Sequence, residues 1–107
     1  EELVTLETAE LLKEKGFSGR KYIIDVSTLP HCYKFLSVPP QSIAQKWLRE
    51  TKNLHIEISY MYENYWTYDI LTIPSHDLIG LSDRPIIHYN TYEEALEAGL
   101  QEALKLI

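Results

Sequence analysis

A chain of 107 residues with 45% hydrophobic and 24% charged side chains has the size and usage of one globular domain, with no room for a second core. Such a chain buries roughly two thirds of the surface it exposes when unfolded, enough to fold without a structural metal or disulfide. Its net charge of −6 argues against non-specific nucleic-acid binding through the whole surface. No apolar run approaches the roughly 20 residues of a membrane-spanning helix.

The acidity sits at the ends. Residues 1–15 hold five acids against Lys13 and Lys15, residues 91–107 hold four against Lys105, and the middle balances seven acids with seven bases. Residues 5–15 read as a helix. Thr5 caps its start, Glu7 and Glu10 lie toward the positive end of the macrodipole, and Lys13 and Lys15 lie at the negative end. Gly16 offers the left-handed residue that stops a helix, with Phe17 as the apolar partner of that cap.

Residues 21–26 predict a strand, with Tyr22, Ile23, Ile24 and Val26 supplying aromatic and β-branched side chains. Residues 27–37 show no period. Leu29, Tyr33, Phe35 and Leu36 are too apolar for a free loop, so an irregular segment packed over a core edge is expected. Pro39 and Pro40 then open a second helix running to about Thr51. Ile43, Ala44, Trp47, Leu48 and Thr51 share an arc of about 140°, with Trp47 at its centre and expected to be buried. Lys46, Arg49 and Lys52 fall on the opposite side.

Residues 54–62 and 66–73 predict a β-hairpin around Glu63 and Asn64. A two-residue loop would set Ile58 across from Asp69. A loop of three or five residues pairs Tyr62 with Trp66, Tyr60 with Tyr68 and Ile58 with Ile70, which gives one continuous apolar face. A one-residue slip moves every side chain to the other face, so the odd-length loop is expected. Residues 74–83 are rich in turn formers, and residues 84–89 predict a short edge strand begun by Pro85. Thr91 and Glu94 form a capping box for a last helix. Along it Ala95, Gly99 and Ala103 make a small-residue stripe, and glycine there costs about 1 kcal/mol against alanine, which implies a close approach. That approach is to the chain's own sheet or to the same helix of a second copy. The predicted fold is α+β: one small antiparallel sheet of three to four strands with three helices, in the order α-β-α-β-β-β-α.

Chemistry-bearing patterns are scarce. His31 and Cys32 are adjacent, and His55, His76 and His88 stand apart, with no spacing that fits a zinc site. Cys32, as the only cysteine, forms no internal disulfide, which favours the cytoplasm. There is no G-x-S-x-G, H-E-x-x-H or phosphate-cradling glycine loop. Ser75, His76 and Asp77 are consecutive and cannot hydrogen-bond in series as a triad requires. No catalytic residue, metal or cofactor is expected.

Two surfaces remain. Tyr60, Tyr62, Tyr65, Trp66 and Tyr68 suit a partner-binding platform, although a cross-strand core ladder explains all but Tyr65. Lys46, Arg49 and Lys52, joined by Arg20 and Lys21, suit a phosphate, although such charges usually form a helix's wet face. The first helix, through Val4 to Ala9 and the Leu11–Leu12 pair, resembles the opening of small helix-turn-helix proteins. Its glycine stop is followed by a strand-like run, however, and not by a recognition helix.

The run from Gln41 to Glu50, followed by Leu54, His55 and Ile56, resembles a segment of small uncharacterised proteins encoded by prophages and mobile elements of anaerobic gut bacteria. Their C-terminal pattern is similar to Tyr92 to Leu100 with Ala103 and Leu104. The resemblance implies a phage-associated, cytoplasmic setting and no particular activity. The expected function is therefore a non-enzymatic interaction module. Its partner is another protein or a second copy of the chain, and Tyr65 and Gly99 are candidate contacts. The alternative is a nucleic-acid-associated accessory protein that uses Lys46, Arg49 and Lys52.

Overall fold

The computed structural model describes residues 2–28, 35–79 and 87–107, and these form three α-helices and two small antiparallel sheets. The α+β class and the rough order of elements agree with the sequence. The strands, expected in one sheet, divide between two.

Helix α1 (Leu6–Glu14) begins where its cap predicts: Thr5 is extended and its hydroxyl accepts the Thr8 N–H at 3.2 Å. At the far end Gly16 takes a φ of 102°, its N–H reaches the Lys13 carbonyl at 3.2 Å, and the Phe17 N–H reaches Leu12 at 2.9 Å. This bond pair is a Schellman cap, which satisfies otherwise open carbonyls and turns Phe17 back onto the helix.

Residues 21–22, expected to open a strand, instead belong to a single 3-10 turn (Arg20–Tyr22). Strand β1 is correspondingly short (Ile23–Asp25) and pairs with β2 (Phe35–Ser37), Ile24 lying opposite Leu36. The segment read as irregular thus ends in a strand, since three residues are too few to display a period. Beyond β1 the Asp25 carboxylate accepts the Ser27 N–H at 2.8 Å, and this bond holds its pKa below the ordinary value. Leu29, His31, Cys32 and Tyr33 lie outside the described residues.

Helix α2 (Gln41–Thr51) starts after Pro40, which has no side chain to cap it. The chain's N-terminal residues supply the missing acceptor: the Gln41 N–H bonds to the Glu2 carbonyl at 2.9 Å, beside a bridge between Leu3 and Pro40. The buried face differs from the expected arc. Gln41, Ala44 and Leu48 are buried, whereas Trp47 is only half-buried and Thr51 is exposed. Two glutamines explain the rotation. Gln41 Nε2 donates to the Glu93 carbonyl at 2.9 Å and Gln45 Nε2 to the Ile56 carbonyl at 2.8 Å, which turns both inward. Trp47 is left at the rim, edge-on to Phe17 at 5.7 Å, with the Lys52 ammonium 5.6 Å from its ring.

The larger sheet runs in the order β3 (Leu54–Met61), β4 (Tyr65–Thr72), β5 (Leu78–Ile79). The odd-length loop is present, and the residues expected on one face share it. The pairings themselves are shifted by two: Tyr60 faces Trp66, Ile58 faces Tyr68 and Ile56 faces Ile70. Turn chemistry sets this register. Glu63 and Asn64 both take positive φ, 78° and 66°, so the chain reverses there and Tyr62 becomes the extra residue. Met61 and Tyr65 therefore close the ladder.

After a cis Ile73–Pro74 bond the chain turns tightly into β5, inside the segment read as turns only. The strand expected over residues 84–89 lies partly outside the described residues. Its last member, Tyr89, makes a two-bond bridge to Trp66 at 2.8 and 3.0 Å.

Helix α3 (Tyr92–Leu106) is capped by Thr91, whose hydroxyl accepts the Glu94 N–H at 3.0 Å. Ala95, Gly99 and Ala103 are all buried, and at Gly99 the helix meets the chain's own sheet, where a Cβ would lie 2.7 Å from Ile56 Cγ2. Leu12, Leu36, Leu48, Ile56, Ile70, Leu100 and Leu104 form the centre of the core that all three helices share. Among the described residues no helix is long and apolar enough to cross a membrane.

Candidate interaction surface

Along the core-facing side of the β3–β4 hairpin, burial falls steadily toward the turn. Ile56, Tyr68 and Ile70 are buried beneath α3, Ile58 and Trp66 are half-buried, and Tyr60 is 58% exposed. Helix α3 ends its cover at Tyr92, whose ring meets Trp66 edge-on at 5.6 Å. Tyr60 lies beyond, its ring tilted against Trp66 at 4.9 Å and its hydroxyl donating to Asn64 Oδ1 at 2.5 Å. At the turn Tyr62 is 91% exposed, next to a partly exposed Met61. Tyr60, Met61, Tyr62, Glu63 and Asn64 line an open cleft of about 580 Å³.

The ladder reading is thus right for Tyr68, incomplete for Tyr60, and wrong for Tyr62, which sits in the turn outside the ladder and faces water. Tyr65, expected to lack a structural task, has one: its ring stacks on His88 at 3.7 Å with an interplanar angle of 10°. That stack stands on the opposite face of β4 from Trp66.

The other sequence candidates are not brought to this surface as a set. Lys46 and Lys52 are exposed on α2 and Arg49 is half-buried, with Lys52 placed over Trp47. Lys21 lies over the Tyr22 ring at 5.5 Å. Gly99 is enclosed by Ile56 and Tyr68, so it offers no surface for a partner. Ser75, His76 and Asp77 form the turn into β5, where Thr72 Oγ1 binds Ser75 Oγ at 2.6 Å and accepts the Asp77 N–H at 3.0 Å. Among the described residues no group of three or more His, Cys, Asp or Glu side chains fits a metal ion.

A second concave region, about 590 Å³, lies between the starts of α1, α2 and α3 and includes Thr5, Gln41, Thr91 and Glu97. Its floor is a hydrogen-bond knot. Glu97 Oε2 accepts the Thr5 N–H at 3.2 Å, the Thr5 hydroxyl at 2.9 Å and the Thr8 hydroxyl, while Oε1 accepts Gln41 Nε2 at 3.1 Å. A carboxylate at the N-terminus of α1 also meets the positive end of its dipole. The knot joins three helices, and that role uses up the oxygens of Glu97.

Sequence reasoning missed Glu97, Gln41, His88 and Tyr92. The first two look like ordinary polar positions on amphipathic helices, and nothing local marks them as partners across the fold. Tyr92 carries only the signal of a first-turn residue after a cap. Comparison with protein families, with curated proteins and with solved structures finds no match for this chain.

Proposed function

We propose that the chain is a non-enzymatic protein-interaction module, of phage or mobile-element origin and acting in the cytoplasm, which binds through the aromatic ridge at the hairpin tip. The supporting observation is that the apolar row of the hairpin continues past its cover: Tyr60 packs its ring on Trp66 yet is 58% exposed, and Tyr62 in the turn beyond is 91% exposed. Tyrosine and tryptophan bring large, stiff contact area with a polar tip, which is why interfaces are enriched in them. The basic face of α2 supports the nucleic-acid alternative less well, because Arg49 is half-buried and Lys52 is already placed over Trp47.

The test pairs stability with capture. Tyr60→Ser/Tyr62→Ser is expected to stay folded at a cost of about 1–2 kcal/mol, for the ring contact with Trp66 and the bond to Asn64 that Tyr60 gives up. The same variant is expected to lose proteins that the wild type retains from host extract. Equal retention by both chains would remove the tip from the function.

A further inference from the structure

We infer that the outer edge of β3 at the hairpin tip docks an extended, Lys- or Arg-bearing segment of a protein partner, an inference that rests on the interaction reading above. The backbone supplies the first half of the argument. Trp66 gives both its N–H and its carbonyl to Tyr89, at 2.8 and 3.0 Å, so neither points toward β3. Its partner Tyr60 therefore sits in a non-hydrogen-bonded pair, and by alternation Ile56, Ile58 and Tyr60 all aim their backbone groups away from β4. At Ile56 this edge is closed, because Gln45 Nε2 holds the carbonyl at 2.8 Å. From Ile58 to the turn β3 is the outer strand of its sheet, and among the described residues no further strand pairs with it. An extended segment laid there adds a strand. Its side chains then alternate between the face of Tyr60 and the face of Glu57 and Ser59.

Charge selects the occupant. The hairpin carries Glu57, Glu63 and Asp69, and residues 54–79 contain no Lys or Arg. Helix α3 adds Glu93 and Glu94 in its first turn, next to Tyr92. Exposed rings attract cations through their faces, and the carboxylates attract them through charge. A nucleic acid would set phosphates against these acids. A second copy would set the same acids against each other on chains of net charge −6. Cations at alternate positions share one face of the added strand, where they meet the rings of Tyr60 and Tyr62 in one register and Glu57 in the other.

Fluorescence anisotropy of the full chain with two labelled peptides of equal length tests this, one alternating Val with Arg and one alternating Val with Glu. The Arg peptide is expected to bind, to weaken as salt rises, and to be lost with Tyr60→Ser/Tyr62→Ser. Glu57→Lys/Glu63→Lys is expected to weaken it about tenfold or more. Absence of Arg-peptide binding, or equal binding of both peptides, overturns the inference. So does light scattering that shows the chain to self-associate through this edge. The interaction reading fails separately. If the tyrosine variant loses its host partners while the charge-reversed variant keeps them, the ridge stands and the cationic segment falls. If the tyrosine variant keeps them, both fall.

Discussion

Gly99→Leu is expected to destabilise the protein by about 3 kcal/mol or more while leaving its mass in solution unchanged. The Cβ alone would sit 2.7 Å from Ile56 Cγ2 and 3.1 Å from Tyr68 Cδ1. Neither neighbour gives way easily. Ile56 is β-branched and 1% exposed, and Tyr68 is packed into the same core. Leucine adds three further carbons where one does not fit, so α3 must lift from the β3–β4 sheet. In a domain of this size the melting temperature should fall by more than roughly 10 °C. Because Gly99 packs on the chain's own sheet, light scattering should report the same species before and after substitution. A dimer that dissociates on substitution would mean that α3 also serves a second copy.

Glu97→Leu is expected to cost about 2–3 kcal/mol in urea denaturation, the range for losing hydrogen bonds to a charged group. The substitution removes the acceptors of Thr8 and Gln41, which are themselves buried, at 0% and 4% exposed. The loss is asymmetric: the donors stay inside the fold with their desolvation cost, and Gln41 Nε2 keeps only its bond to the Glu93 carbonyl. It also removes the carboxylate that the Thr5 N–H and hydroxyl both reach at the start of α1, while the Thr5 cap on the Thr8 N–H remains. Glu97→Gln keeps one carbonyl oxygen and should recover part of the loss. If Glu97→Leu unfolds at the wild-type urea concentration, water fills the groove and the knot does not join the helices.

The helices were legible because their signals are local. Thr5, Gly16 with Phe17, Pro40 and Thr91 each act within a few residues of themselves, and the structure uses each of them as the sequence implies. The hairpin was legible in parity and not in register. Side-chain alternation decides which residues share a face, but the pairing depends on where φ becomes positive, and glutamate at 63 carries no such signal. Trp47 went astray for a longer-range reason. Its arc was read from hydrophobicity alone, whereas the helix is rotated by two glutamines that serve Glu93, Glu97 and Ile56. The same limit hid the candidate surface. Alternation placed Tyr60 on the core face correctly, but only the position of Tyr92 at the start of α3 determines that Tyr60 lies beyond the cover.

Photo-crosslinking in the host tests most directly whether the hairpin tip, and not the cationic face of α2, is the contact surface. A benzophenone side chain would replace Tyr62 in one variant and Lys46 in another, both exposed positions at which the fold tolerates change. Discrete protein adducts from position 62 and none from position 46 are the expected result. Adducts from position 46 with none from position 62 would contradict the assignment and return the function to helix α2.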